Sequence, residues 1–580
     1  MHQLGAAVSF RHCGWYQRAP RSHTGLCGWR RIRDDVPPPE SYPYSLTKNL
    51  QLRLWLAFCC CLPILVGCVF LPYAGLEMDE TLFTLPYYQP GAEVFRVRLF
   101  HHNIPLMIMT YVGALKTFLY WPLFAVFRST IEHHPHLAAW VMRLPMVLVA
   151  SLTVFVFFHM AEKLAGRRTA AIAALLLACD PTFLLTDTFD WGPVALEHLL
   201  LVTACFFLIK YAQQRIPRDL LFAFFALGLG LWNKAVFGWA LAGLICGSLV
   251  FWRDIIKLAT PRRLLFAAAC FVAGALPLVV YNARHQNVTF HSNAHLEPSG
   301  VPAKFIQLDM ALNGSGLFAF LVSEEWYDNP KPPSSALGQA AFWIRRHLGD
   351  HHEGYMDYAA ALALLAVPLW WRSRAARFCI VFTTAAWLLM ASTRGAGTSQ
   401  HHAVLLWPFP QLFVAIVISS LRWKWLVACI CTILVASNLL VLNQYLVQFE
   451  RNGADGPFTD AINRLSAELP PNQNIYVLDW GIQYPLYVLR NGRLPMHDGQ
   501  EFFAAGVALE QSRDAIKMMS EKDPLFITHV EKRENFTGIH KRFDEAAAAV
   551  GCHETSLQTI PDSNGRPVFR VFKIACAGGG

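Results

Sequence analysis

The chain has 580 residues, 54% of them hydrophobic and 15% charged, with a formal net charge of +9. Soluble domains carry roughly 25% charged residues, so this composition excludes an ordinary water-soluble protein. The Lys and Arg residues are distributed between apolar runs instead of forming one basic tract. That pattern argues against a nucleic-acid partner and for the alternating loops of a polytopic membrane protein.

Residues 1–49 are polar and rich in Arg and Pro, with VPPPESYP at 36–43, and are expected to be a disordered cytoplasmic arm. Eight Lys and Arg up to Arg53 hold that end inside. The apolar run 54–73 then delivers Asp79 and Glu80 to the outer face. Two adjacent carboxylates at the lip of a span are costly without a task, although solvated loop charges would have the same sequence.

The stretch 104–127, containing Pro105, Lys116 and Pro122, reads either as a span or as helices lying in the interface. The charges decide for the interface. The expected spans are then 54–73, 139–160, 169–186, 193–209, 219–232, 236–251, 264–281, 356–371, 378–392, 403–421 and 425–443, eleven in all. Lys163/Arg167/Arg168, Lys210/Arg215/Arg218, Arg253/Lys257/Arg262/Arg263, Arg372/Arg374/Arg377 and Arg422/Lys424 all fall on the cytoplasmic side. The short outer loops 187–192 and 393–402 carry only Arg394. Counting 104–127 as a span would invert every later loop.

Outside the membrane lie the loops 74–138 and 282–355, the latter with His291, His295, Asp309, Glu324, Glu325, Trp326 and Asp328. Residues 50–444 form the membrane domain and 445–580 a small α/β domain. In that domain NIYVLDW, PLFITHV and VFRVFKI read as strands, and 458–469, 500–519 and 540–550 as helices. Cys552 and Cys576 can pair there if the domain faces an oxidising space. The expected fold is therefore a polytopic α-helical membrane protein of about 11 transmembrane helices with a C-terminal extracytoplasmic α/β domain.

This topology brings Asp79, Glu80, Asp187, Asp190, Lys234, His401 and His402 to one membrane surface. Carboxylates there suit a general base or a metal, and cations suit a phosphate. Each has a plainer reading: Asp187 and Asp190 as helix caps near Gly192-Pro193, and Lys234 as a snorkelling side chain. The adjacent His pairs at 101–102, 133–134, 351–352 and 401–402 lack the i, i+4 spacing of a metal-ligand pair.

Five stretches carry a resemblance: EMDETLF, HNIPLMIMTYVGALKTF, the forty residues from MRLPMVLV to ACDP, GLGLWNKAVFGWALAG and HHAVLLWPFP. Together they resemble the GT-C glycosyltransferases of the protein O-mannosyltransferase and lipid A aminoarabinose-transferase type, a family 39-like group. The resemblance implies the GT-C fold and an inverting transferase. Its donor would be a polyprenyl- or dolichyl-phosphate sugar, and its acceptor a hydroxyl or phosphate of a lipid, glycan or protein. It implies Asp79 as catalytic base and Glu80 as its acceptor-orienting neighbour. Asp190, Asp187, Arg143, His401 and His402 are expected to contact substrate, and Lys234 the donor phosphate. His401 and His402 stand where the family carries Arg or Lys and Tyr. Ala235-Val236 replaces the commoner Gly-Pro, and Ile104-Pro105 the usual Pro-Pro. Some members use a divalent ion and others none, so the cofactor stays open. The implied location is a bacterial inner membrane with the site and C-terminus extracytoplasmic. The alternative is a transporter or flippase of lipid-linked sugars, but transporters place charges at midplane and show inverted repeats, whereas no repeat is visible here.

Overall fold

Apolar segments in lipid must satisfy their own backbone groups, and helices do so locally. The computed structural model describes residues 42–576, apart from 294, 319, 324–329 and 521–523. The chain divides into two units, 1–51 and Leu52–Gly580. Of the first, only 42–51 are described, and these are helical, so the arm expected over 1–49 gives way to helix at Tyr42. Residues 1–41 of that arm, and Glu324, Glu325, Trp326 and Asp328, lie outside the described residues.

Among the described residues, seven helices are long and apolar enough to cross a membrane: Leu50–Phe70, Pro135–Ala165, Val194–Gln214, Phe237–Leu258, Pro261–Arg284, Arg374–Ala391 and Lys424–Asn452. Two bent pairs raise the number to nine: Arg167–Ala178 with Pro181–Thr188 at 56°, and Gln400–Leu406 with Phe409–Ser420 at 46°. The chain is thus an integral membrane protein. The count falls short of eleven because the helices Pro217–Asn233 and Met356–Leu365 have only 17 and 10 residues. The first bend follows from Asp180-Pro181. Asp180 caps the second helix by accepting from Phe183 N at 2.8 Å, and its other oxygen accepts from Gln411 Nε2 at 2.8 Å. A buried carboxylate is thereby satisfied inside the bundle.

The largest departure from the sequence reading lies at 104–127. Its first part is not helical. Strands β1 (Phe95–Leu99), β2 (His102–Met109) and β3 (Val112–Gly113) form an antiparallel sheet in the order β1-β2-β3. The two-residue turn Phe100-His101 has positive φ at both positions, 46° and 70°, as a tight hairpin requires. Pro105 is tolerated inside β2 because the register shifts between Phe95 and Arg96, opposite it. After β3 the chain runs as one helix, Leu115–His133, through Pro122. That helix buries Lys116, Tyr120, Phe124 and Ile131 and exposes Phe118, Leu119, Val126 and Phe127.

The C-terminal domain is a five-stranded sheet, order β5-β4-β6-β8-β7, from β4 (Ile475–Val477), β5 (Met496–Asp498), β6 (Leu525–His529), β7 (Cys552–Pro561) and β8 (Pro567–Cys576). β4 is parallel to both β5 and β6, while β8 is antiparallel to β6 and β7. Helices Ala461–Glu468, Gln483–Leu489, Leu509–Ser520 and Ile539–Ala549 connect them. Cys552 and Cys576 face each other across β7 and β8 and are bridged. The domain meets the loop after the first span directly, Gly75 N donating to Phe458 O at 2.8 Å.

Candidate active site

The acidic turn after the first span is built by its own carboxylates. Glu77 accepts from the backbone of Asp79 at 2.6 Å and of Glu80 at 3.2 Å, and Glu80 Oε1 accepts from Glu77 N at 2.8 Å. This reciprocal capping box starts the one-turn helix Met78–Thr81. Arg143, from the Ala138–Ala165 helix, then locks it. Its Nε and Nη2 hold Glu80 in a bidentate pair at 2.9 and 2.6 Å. The remaining donors go to the carbonyls of Leu71 (3.0 Å), Ala74 (2.9 Å) and Gly75 (2.6 Å). All five guanidinium hydrogens are used, and both side chains are fully buried. Glu80 and Arg143, expected at the acceptor and the substrate, both have their polar atoms engaged within the protein. They fix the turn that carries Asp79.

Asp79 itself is only partly buried. The indole of Trp191 and the cations Lys234 and Lys116 act on its carboxylate. Burial raises the Asp79 carboxyl above the usual range, while Lys234 first and Lys116 second pull it back.

Lys234 owes its place to a chain break. It ends the Pro217–Asn233 helix in extended conformation, its backbone bridges to Val112 of β3, and Ala235 N donates to Tyr111 O at 2.8 Å. Its side chain is buried, makes no ion pair within 4.0 Å among the described residues, and lies beside Gly192, where a Cβ would sit 3.7 Å from Nζ. Asp79, Glu197, His401 and His402 all feel its charge.

His401 and His402 stack at 4.2 Å between ring centres, and His401 lies 4.5 Å from the Trp191 ring. Ser399 Oγ and His401 Nδ1 are 3.0 Å apart, whereas His402 Nδ1 is buried without a partner. The structure thus groups Asp79, Lys234, His401 and His402 around Trp191.

The other two predicted acids have partners within the protein, although Asp190 Oδ1 is buried without one. Asp190, at φ +52°, pairs with Lys116 at 2.5 Å and accepts from Tyr120, and Lys116 Nζ also donates to Gly192 O at 2.8 Å. Burial pushes the Asp190 carboxyl up to about 7, against the pull of Lys116. The same burial holds the Lys116 ammonium below its ordinary range. Asp187 faces His198 Nδ1 at 3.2 Å, and His198 Nε2 donates to Val404 O at 2.8 Å. Asp187 lies inside the Pro181–Thr188 helix and caps nothing; both acids, expected at the substrate, are internal ion-pair partners.

Lys116, Tyr120, Trp191, Glu197 and His198 escaped the sequence reading as members of this cluster. Lys116 had a signal, a lone cation in an apolar stretch. Glu197 had one too, an acid in the first turn of an apolar helix, and both its oxygens are buried without a partner. Among the described residues, no three His, Cys, Asp or Glu ligand atoms converge at Asp79. The positive charge there comes from Lys234 and Lys116.

Residues 131–281 match the family described as dolichyl-phosphate-mannose-protein mannosyltransferase. Among solved structures the chain is similar to ArnT from Cupriavidus metallidurans bound to undecaprenyl phosphate: 12% identity, TM-score 0.52, covering 89% of this chain and 98% of that one. It is also similar to the Archaeoglobus fulgidus oligosaccharyltransferase tethered to an acceptor peptide with the NVT sequon: 11% identity, TM-score 0.50, covering 90% and 75%. At such identities the likeness shows the fold. No curated protein sequence matches the chain.

Proposed function

We propose that this chain, a GT-C membrane glycosyltransferase by its fold and its 131–281 family match, transfers a sugar from a polyprenyl- or dolichyl-phosphate donor to an acceptor on the outer face of a bacterial inner membrane. The observation that carries the reading is the juxtaposition of Asp79 with Lys234, a partly exposed carboxylate and a buried ammonium that makes no ion pair among the described residues. Lipid phosphate in the ArnT structure and acceptor peptide in the oligosaccharyltransferase support the donor class and a peptide or glycan acceptor.

Each half of the reaction needs one of the two charges. Asp79 accepts the proton of the acceptor hydroxyl as its oxygen attacks the anomeric carbon. A carboxyl held above its ordinary range is a better base for that step. The bond to the phosphate oxygen breaks on the opposite face, which inverts the centre. Lys234 stabilises the phosphate that leaves with the electron pair, and His401 and His402 line the same space. A phosphate leaves as an anion, so no second acid is required. Glu80 with Arg143, and Asp190 with Lys116, act by holding Asp79 and the Trp191 loop in place. The Cys552–Cys576 bridge supports an oxidising, extracytoplasmic setting for the C-terminal domain, and the basic loops support a cytoplasmic opposite face.

The test is transfer from polyprenyl-phosphate-linked sugars by the purified full-length protein in lipid nanodiscs. Asp79→Asn is expected to lower turnover by at least about 10²-fold with membrane insertion and melting intact. Undiminished turnover would sink the mechanism.

A further inference from the structure

Away from Asp79, the C-terminal domain contains side chains with the donor set and spacing of a metal site. We propose that His540, Asp544 and Glu554 bind one divalent first-row cation of the zinc or manganese type, which clamps the Ile539–Ala549 helix to β7. Among the described residues, this is the one group of three His, Cys, Asp or Glu side chains whose ligand atoms all lie within 4.8 Å of one another.

The placement follows from the chain. His540 and Asp544 are four apart on one helix and so share a face; Glu554 comes from the strand packed against it. His540 Nε2 stands 3.3 Å from Asp544 Oδ2 and 3.1 Å from Glu554 Oε1. Around a cation with bonds of about 2.0–2.2 Å, neighbouring donors are about 3.0–3.5 Å apart.

The His540–Glu554 contact is not a hydrogen bond. Glu554 Oε1 is buried with no hydrogen-bond partner despite that 3.1 Å approach, so it lies off the ring's N–H direction. The His540 side chain is only 8% exposed, and its Nδ1 is likewise buried without a partner. The 3.1 Å approach of His540 Nε2 to Glu554 Oε1 thus leaves that oxygen without a hydrogen bond. The carboxylates of Asp544 and Glu554 also come within hydrogen-bonding reach, a like-charge contact that a cation would reconcile.

The surrounding charges fit. Arg570 on β8 holds Glu554 Oε2 at 2.7 Å and leaves Oε1 to the site, as an outer partner orients a metal-bound carboxylate. Glu531 and Glu534 add negative potential at His540, and Glu534 Oε1 accepts from His540 N at 3.0 Å. One imidazole and two carboxylates suit zinc or manganese better than calcium, which takes oxygen ligands only.

The experiment is calorimetric titration of Zn²⁺ alone into chelator-stripped full-length protein, compared with Asp544→Asn. Asp544 is half-exposed, so this variant keeps the fold. The wild type should bind one more equivalent of Zn²⁺ than the variant, or bind it at least about ten-fold more tightly. Zn²⁺ should also raise the wild-type melting temperature by more than the variant's, and equimolar Ca²⁺ should not displace it. Equal stoichiometry and affinity in the two proteins, or displacement by Ca²⁺, would overturn the site.

Discussion

Arg143 and Glu80, separated by 63 residues, are bound at 2.6 and 2.9 Å in a pair with no solvent exposure, and Arg143 directs its other donors to the carbonyls of Leu71, Ala74 and Gly75. The end of the first span is therefore tied to the next long helix through one guanidinium. Since Asp79 precedes Glu80, the orientation of the proposed base is set by a side chain whose donors are all engaged inside the protein.

Replacing Glu80 by Gln keeps the shape but leaves Arg143 a buried, half-paired charge. Breaking such a pair costs about 3–5 kcal/mol of stability, and a base displaced by about 1 Å can cost roughly 10² in rate. Glu80→Gln should therefore lower both the melting temperature and kcat, with KM for donor and acceptor nearly unchanged. Arg143→Lys, which cannot form the two-pronged contact, should do the same. A rise in KM at constant kcat would instead mean that Glu80 touches the acceptor.

Lys234 gives a prediction with a sign. Burial raises the Asp79 carboxyl, and Lys234 is the largest influence lowering it again. A base works in its deprotonated form, so activity falls as pH drops through that value. Removing Lys234 raises the Asp79 value further, and the acid limb must move to higher pH. For Lys234→Met, kcat/KM measured from acidic to alkaline pH should show the limb displaced to higher pH, together with a higher KM for the lipid-phosphate donor. An unmoved limb with reduced kcat would separate Lys234 from Asp79.

What the sequence made legible was the apolar spacing of the helices and the grouping of chemistry-bearing residues. Asp79 and Lys234 stood out because charge at the edge of an apolar run is costly. The pairings were not legible. Nothing local in MRLP shows that Arg143 turns toward Glu80, or that Lys116 reaches Asp190, 74 residues on. Both are contacts made only once the helices pack. The strand β2 was hidden by composition: HNIPLMIM has neither strict alternation nor a helical stripe, and its Pro105 reads as a helix start. Its strand character comes from the hairpin partner. Likewise 169–186 reads as one span, because Asp180 looks like an isolated charge until Gln411 arrives from another helix to satisfy it.

The Lys116–Asp190 pair gives the last prediction, because its two readings differ in stability. Both side chains are fully buried, at 2.5 Å, with Tyr120 on the same carboxylate and Gly192 O on the same ammonium. If the pair is an internal tie, Lys116→Met or Asp190→Asn alone leaves one buried group uncompensated and should destabilise by about 3–5 kcal/mol. The double variant Lys116→Met/Asp190→Asn should recover part of that loss, giving a coupling well above the roughly 0.5 kcal/mol of independent sites. Unfolding in detergent, followed by tryptophan fluorescence, measures all four corners of the cycle. The Trp191 loop hangs from this pair, so each single variant should also loosen Asp79's partner and reduce kcat. Were Asp190→Asn to leave stability unchanged while raising KM, Asp190 would return to the substrate-binding role that the sequence first suggested.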